Sequence, residues 1–134
     1  MDPTTLIETF EFFDDWEDKY RFVIDLGKEL PELAEADKVE ANLIRGCQSQ
    51  VWFTWHQSED THLHFHLDSD AFIVRGLIAI VLIALDDKSP QDVVSFDIED
   101  FFARLQLLPH LSATRGNGLR AMILRIRDTA ASLS

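Results

Sequence analysis

The amino-acid sequence predicts a single α+β domain, residues 1–134, in which helices pack on a small antiparallel sheet of about three strands. This length suffices for one hydrophobic core but not for two. Apolar residues recur at helical spacing near both ends of the chain, whereas residues 51–56 and 62–67 alternate along the chain as strands do. Helices therefore precede and follow a group of strands, and this order is typical of the α+β class.

Two helices are predicted in the first 31 residues. Asp2 followed by Pro3 is typical of a helix start, and Asp14 or Asp15 is positioned to cap the second helix. Pro31 marks the end of that helix, because proline lacks the backbone N–H that a continuing helix needs. The residues expected to face the core are Leu6, Ile7, Phe10 and Phe13 in the first helix and Trp16, Tyr20, Val23 and Leu30 in the second.

The alternating stretches predict two strands that form a hairpin with one buried face. The polar residues 57–60 form the turn, and residues 39–45 are a weaker candidate for a third strand. The positions assigned to the buried face are Val51, Phe53, Trp55, Leu63, Phe65 and Leu67.

Histidines occupy the opposite face of the second strand, at His62, His64 and His66. Their alternate spacing would bring two imidazoles within reach of one zinc ion. Since no carboxylate or cysteine ligand is evident nearby in the sequence, we interpret this face as solvated and expect no metal site.

Residues 71–85, AFIVRGLIAIVLIAL, predict a helix that is apolar on nearly all sides. The run is shorter than the roughly 20 residues that cross a bilayer, so it indicates a central core helix and not a membrane span. Ser89, Asp97 and Ser112 are placed as N-caps of three further helices. The core residues expected in the last two are Phe101, Phe102, Leu105, Leu119, Met122, Ile123, Ile126, Ala130 and Leu133.

The composition is strongly acidic, with 24 Asp and Glu against 12 Lys and Arg. Such a surface disfavours nucleic acid and anionic lipid, because binding to either requires an excess of basic side chains. A protein partner with a basic patch is favoured instead. The segment MDPTTLIETF lacks the features of a secretion signal, and a single cysteine favours a reducing compartment, so we expect a cytoplasmic protein.

The single cysteine, Cys47, lies between Gly46 and the polar residues Gln48, Ser49 and Gln50. On the predicted fold this segment is the loop that enters the first strand, where Gly46 permits a positive φ or a close approach. A cysteine that only fills space, a hydrolase nucleophile with a histidine base and a sulfur carrier are all open interpretations. A disulfide oxidoreductase would need a second cysteine. A carrier needs one thiolate, which attacks the terminal sulfur of a donor persulfide.

Five blocks of the sequence resemble, in order, the SufE family of sulfur acceptors in iron–sulfur cluster assembly. The motif GCQSQVWF resembles the family's signature, and the blocks together cover nearly the whole chain. They are WEDKYRFVIDLGKELPEL (16–33), GCQSQVWF (46–53), DSDAFIVRGLIAIV (68–81), SPQDVVSFD (89–97) and HLSATRGNGLRAMI (110–123). The fold that this resemblance implies is shared with the IscU-type scaffolds.

The resemblance implies that Cys47 accepts persulfide sulfur from a SufS-like, pyridoxal-phosphate-dependent cysteine desulfurase and stimulates that enzyme. The sulfur would pass to a SufBCD-like scaffold complex. The pyridoxal phosphate belongs to the partner, so neither a cofactor of its own nor stand-alone turnover is expected of this chain. The alternatives are a CsdE-like paralogue with another desulfurase and a binding module that activates the desulfurase without carrying sulfur. A homodimer is also left open.

Three charged residues outside the loop are candidates for partner binding. Asp70 and Arg75 fall in a block that resembles the family's helix start near the cysteine loop, although Asp70 is alternatively a first-turn acid that complements the helix dipole. Arg115 falls in the first turn of the last helix, where a cation costs a few tenths of a kcal/mol. The family has an arginine here, which suggests contact with the desulfurase or a sulfur anion; the alternative is a solubilising surface side chain.

Overall fold

The computed structural model describes all 134 residues and contains six α-helices and a two-stranded antiparallel sheet. The α+β class is therefore confirmed. The helices are α1 (Pro3–Glu11), α2 (Trp16–Glu29), α3 (Phe72–Leu85), α4 (Pro90–Ser95), α5 (Ile98–Leu105) and α6 (Ala113–Ala131), and the strands are β1 (Val51–Gln57) and β2 (Leu63–Ser69). Short 3-10 turns lie at Glu35–Asp37, Glu40–Asn42 and Leu108–His110.

Five of the helices begin at side-chain caps that the sequence predicts. In each case the capping oxygen accepts a backbone N–H three residues further along, at 2.8–3.2 Å, which satisfies a donor that the helix itself leaves free. The caps are Asp2, Asp15, Ser89, Asp97 and Ser112.

Helix α3 is the exception, because it has no side-chain cap. Its backbone stays extended through Ala71, so the helix begins at Phe72 and its first turn contains no acid. The expectation that Asp70 is a first-turn acid of this helix is therefore wrong. The carboxylate of Asp70 lies before the helix and is free to contact another segment.

The sheet is a hairpin whose register runs from Val51 opposite Ser69 to Gln57 opposite Leu63. The prediction of a third strand at residues 39–45 is wrong. That segment contains a 3-10 turn, and its pairing is limited to one bridge, between Leu43 and Trp52. The chain turns away at Gly46, which has a positive φ of 93°, before a second pair can form.

The core lies between the hairpin and the helices, with the apolar helix α3 at its centre. Nine residues of α3 are buried, in agreement with its predicted role. No helix of the protein combines the length and apolar character needed to cross a bilayer. Helices α2 and α3 meet closely, since a Cβ at Gly76 would lie only 2.2 Å from the carbonyl oxygen of Val23. Glycine at this position is therefore required by the packing.

Three residues expected in the core are exposed. Tyr20 is 40% exposed and Trp55 is 42% exposed; Trp55 lies in the distal part of β1, where the last three residues of the strand are all exposed. Leu133 is 39% exposed because α6 ends at Ala131.

Candidate functional site

The loop that contains Cys47 lies against helix α6, between the Leu43–Trp52 bridge and the start of β1. Gly46 adopts the positive φ that the sequence suggests, and a Cβ placed there would lie 3.5 Å from the Cβ of Ala121. The glycine thus turns the chain and lets the loop approach the helix. As a result the backbone delivers Cys47 to the helix surface.

The thiol of Cys47 is half-buried beside Gly118 of α6. Its S–H donates to the carbonyl oxygen of Gly118, with 3.6 Å between sulfur and oxygen. Because glycine has no side chain, the sulfur lies directly on the helix backbone. Burial raises the pKa of the Cys47 thiol, so in the isolated protein the thiol is held in its protonated and less nucleophilic form.

A small cavity of about 40 Å³ adjoins this sulfur. One water-sized group needs roughly 10–15 Å³ by the same measure, so the space accommodates a few atoms and no larger substrate. Its inner wall is apolar and its polar groups come from the loop and from the start of α6. The lining residues are Cys47, Gln48, Ser49, Val51, Val74, Leu77, Ser112, Thr114, Arg115, Gly118, Leu119 and Met122.

Arg115 is the one charged residue in that lining. It lies in the first turn of α6, as predicted, and its backbone N–H donates to Ser112 Oγ at 3.1 Å. No carboxylate lies within 4.0 Å of its guanidinium group, although the chain has twice as many acids as bases. The free cation and the helix N-terminus together favour negative charge in the cavity.

Asp70 reaches the loop from the connection between β2 and α3. Its Oδ1 accepts the backbone N–H of Gln50 at 3.2 Å, which holds the end of the loop. Of the polar residues after Cys47, Gln48 and Ser49 line the cavity, whereas Gln50 is exposed and contributes its backbone. The structure therefore brings Gly46, Cys47, Gln48, Ser49, Gln50, Asp70 and Arg115 together around one loop.

Arg75 is not part of this group. Its guanidinium pairs with the buried carboxylate of Asp68 and donates to the carbonyl oxygen of Leu30 at 2.6 Å. The Asp68 carboxylate also accepts the backbone N–H groups of Leu33 and Ser69, at 3.0 and 2.8 Å. This polar cluster joins the end of α2 to β2 and α3, and the contacts of Arg75 within the chain are structural.

Sequence reasoning did not identify the contribution of α6 beyond Arg115. The carbonyl oxygen of Gly118 accepts the hydrogen bond from the Cys47 thiol, and Ser112 and Thr114 line the cavity. A signal was present, since Gly116 and Gly118 are two glycines inside one predicted helix, and such glycines often mark a close approach of another segment. The lining contains neither histidine nor carboxylate, so it supplies no general base for a cysteine hydrolase.

Known proteins resemble this chain along almost its whole length. A SufE family model, described as an Fe-S metabolism associated domain, matches residues 4–130. An uncharacterized SufE-like protein of Rhizobium meliloti (strain 1021) is 47% identical over 128 residues, which cover 93% of this chain and 91% of that protein. A second uncharacterized SufE-like protein, from Rhizobium etli, is 48% identical over 128 residues, which cover 93% of this chain and 86% of that protein.

The fold also has a counterpart among solved structures. The solution structure of a hypothetical protein from Thermus thermophilus superposes with a TM-score of 0.76 at 19% identity, and the match covers 98% of this chain and 97% of that one. At this identity the likeness concerns the fold alone. The family model and the two relatives decide the assignment: the chain belongs to the SufE family and has a role in iron–sulfur metabolism.

Proposed function

We propose that this protein is a sulfur acceptor that takes persulfide sulfur from a cysteine desulfurase onto Cys47 and delivers it to an iron–sulfur scaffold. The observation that supports this most directly is the position of the chain's one thiol beside a small cavity whose single charged lining residue is the unpaired Arg115. A persulfide adds one sulfur atom and, when ionised, one negative charge. Both the volume and the charge of the cavity suit that group.

The transfer is a thiol–disulfide type of exchange without net oxidation or reduction. The Cys47 thiolate attacks the terminal sulfur of the persulfide on the desulfurase cysteine, so that a new S–S bond forms on Cys47. The S–S bond of the donor breaks, and the donor cysteine leaves as a thiolate. The proton lost by the Cys47 thiol is balanced by the one that the desulfurase thiolate takes up.

The buried state of the thiol makes this reaction dependent on a partner. Since burial raises the pKa of Cys47, free protein at neutral pH offers mostly the unreactive thiol. Docking of the desulfurase would displace the loop from Gly118, which removes the desolvation that disfavours the thiolate. The pyridoxal phosphate and the release of sulfur from cysteine belong to the desulfurase, and this chain turns over no substrate alone.

The decisive experiment compares wild type with Cys47→Ser after incubation with a SufS-like cysteine desulfurase and free cysteine, by intact mass without reductant. Wild type should gain the mass of one or more sulfur atoms and the variant none, because a serine hydroxyl cannot replace the thiolate. Serine is nearly isosteric, so the variant should remain folded and bind the desulfurase.

Two controls separate the alternatives. Omission of cysteine should leave the wild-type mass unchanged. If wild type gains no sulfur yet stimulates the desulfurase, and the serine variant stimulates it equally, the protein is an adaptor and the carrier proposal is overturned. Comparison of a SufS-like desulfurase with the different desulfurase that serves CsdE-like proteins distinguishes the two branches.

A further inference from the structure

The distal end of the hairpin brings together side chains that the sulfur-acceptor site does not use. His62 begins the second half of the hairpin, Asp60 lies in the turn, and Asp87 comes from the connection between α3 and α4. His62 Nδ1 lies 2.9 Å from Asp87 Oδ1 and 3.7 Å from Asp60 Oδ2. One ligand atom from each of the three residues lies within 4.8 Å of the others.

A fourth ligand atom is close to this group. His64 Nε2 lies 3.8 Å from Asp87 Oδ1 and 3.0 Å from Ser58 Oγ. Around a tetrahedral zinc ion with bonds of about 2.0–2.1 Å, neighbouring ligand atoms are separated by roughly 3.3–3.4 Å. The three separations of 2.9, 3.7 and 3.8 Å each lie within about 0.5 Å of that value, so these pairs of atoms are close enough to share one ion.

Backbone hydrogen bonds hold the two contributing segments in register. The N–H of Asp87 donates to the carbonyl oxygen of Leu63 at 2.9 Å, and the N–H of Leu63 donates to that of Lys88 at 2.8 Å. Asp60 Oδ1 accepts hydrogen bonds from the Ser58 hydroxyl and from the N–H of His62, so that Oδ2 is available to bind a metal ion. Asp60, His62 and Asp87 are therefore held next to one another without an ion.

The outer face of the hairpin fixes the imidazoles further. His56 stacks on His64 with ring centroids 4.9 Å apart, and on its other neighbour, His66, at 5.0 Å. This stacking restrains the ring of His64, whereas the ring of His62 is oriented by its hydrogen bond to Asp87. The sequence-based expectation that no carboxylate accompanies these histidines is wrong, because folding brings Asp87 from 25 residues away to His62.

We propose that His62, Asp60 and Asp87, with His64 as the fourth ligand, form a binding site for a first-row divalent metal ion of the zinc type. Imidazole nitrogens together with carboxylate oxygens suit such ions, and two carboxylates neutralise the charge of a divalent cation. The ion would join the hairpin turn to the α3–α4 connection. His64 releases Ser58 when it binds the metal.

This site is separate from the sulfur-acceptor site. Cys47 precedes the first residue of β1, whereas the metal ligands adjoin its last residue, Gln57. A strand of seven residues spans roughly 20 Å. Occupation of one site therefore does not place the ion in contact with the thiol, and the two proposals can fail independently.

The test is titration of the purified, metal-free protein with Zn²⁺ by calorimetry, with the melting temperature measured in parallel. Wild type should bind one equivalent and melt at a higher temperature with zinc, because an ion that binds only the folded state stabilises it. His62→Ala and Asp87→Asn should each weaken binding by more than about tenfold, the smallest loss typical of removing even an outer-sphere partner. Asparagine tolerates the positive φ of 56° at position 87, so that variant should keep the fold.

His110→Ala is the matched control, since it removes a histidine that stacks on Trp16 and is not among the proposed ligands. It should bind zinc as wild type does. Unchanged affinity in His62→Ala and Asp87→Asn would overturn the proposal. So would a loss of binding confined to His66→Ala, which would assign the ion to the His56–His66 pair instead.

Discussion

Arg75 and Arg115 both lie near the start of a helix, as the fourth residue of α3 and the third residue of α6, but have opposite surroundings. The helix dipole disfavours a cation near a helix N-terminus. The side chain of Arg75 is 14% exposed; Asp68 neutralises its charge, and its guanidinium group donates a hydrogen bond to the carbonyl oxygen of Leu30. Arg115 has no carboxylate within 4.0 Å and faces the cavity beside Cys47.

A missing counter-ion does not by itself mark a functional charge, because five other basic side chains also lack a carboxylate within 4.0 Å: Lys19, Arg21, Lys88, Arg120 and Arg125. What sets Arg115 apart from Arg75 is that its uncompensated charge lines the cavity beside Cys47, where it is available to a group that enters the cavity. The resemblance to the family names both arginines, and the contacts distinguish them.

The largest effect is expected from Arg75→Met, which keeps much of the side-chain volume and removes the charge. Asp68 would then be a buried carboxylate with only part of its compensation, and loss of one partner of such a pair typically costs about 3–5 kcal/mol. Urea denaturation should show this loss of unfolding free energy. A change below about 1 kcal/mol would mean that Lys38, 3.6 Å from Asp68, suffices as the partner.

Arg115→Met should have the reverse profile. Loss of a charge-assisted contact to the persulfide should slow sulfur transfer from the desulfurase roughly ten- to a hundredfold, while unfolding free energy changes by less than about 0.5 kcal/mol. Arg120→Met, on the same helix and bonded only to Asn117, is the matched control and should transfer sulfur normally. Equal slowing in both variants would indicate a general charge effect of α6.

A pH series should detect the Asp68 cluster through its titration. Burial alone raises the pKa of Asp68, but the N–H groups of Leu33 and Ser69, with Arg75 and Lys38, lower it below its ordinary value of 3.8. A lowered pKa stabilises the fold above the ordinary value, and this contribution is lost as pH falls through the folded value. The stability difference between wild type and Asp68→Asn should therefore shrink below about pH 4. A constant difference would contradict the assignment.

The smallest effect is expected from Asp70→Ala, which removes the acceptor for the backbone N–H of Gln50. The bond is exposed, so its loss should cost about 1 kcal/mol or less, confined to the loop. Alkylation of Cys47 in the free protein should become several-fold faster, because the loop leaves Gly118 more often. An alkylation rate that is unchanged or slower would show that Asp70 does not restrain the thiol.

Much of the helical framework is predictable because its signals are local. Asp2, Asp15, Ser89, Asp97 and Ser112 each cap a helix through a residue three positions away. The prediction of a third strand is wrong for the opposite reason, because strand pairing is not decided locally. Pairing of residues 39–45 depends on where the chain goes after Gly46, which β-propensity does not specify.

The candidate site was predictable in its loop and less so in its surroundings. Cys47, its neighbours and Arg115 stand out by residue type and by their resemblance to a family. Gly118 contacts the thiol across 71 residues of sequence, and Asp87 meets His62 across 25. Such contacts follow from the packing of α6 on the loop and of the α3–α4 connection on the hairpin. No pattern of residue spacing in the sequence predicts these contacts.

The two-stranded sheet described above consists of edge strands only. The outer edge of β2 is occupied near Leu63 by Asp87 and Lys88, but β1 pairs with no further strand beyond Trp52 and presents the exposed Trp55 there. An open edge of this kind is a template for strand addition by another chain. At neutral pH the net charge of −12 keeps the chains apart. That repulsion vanishes as the carboxylates are protonated and the pH approaches the sequence pI of about 4.6, where we expect a solubility minimum caused by folded molecules that associate through β1.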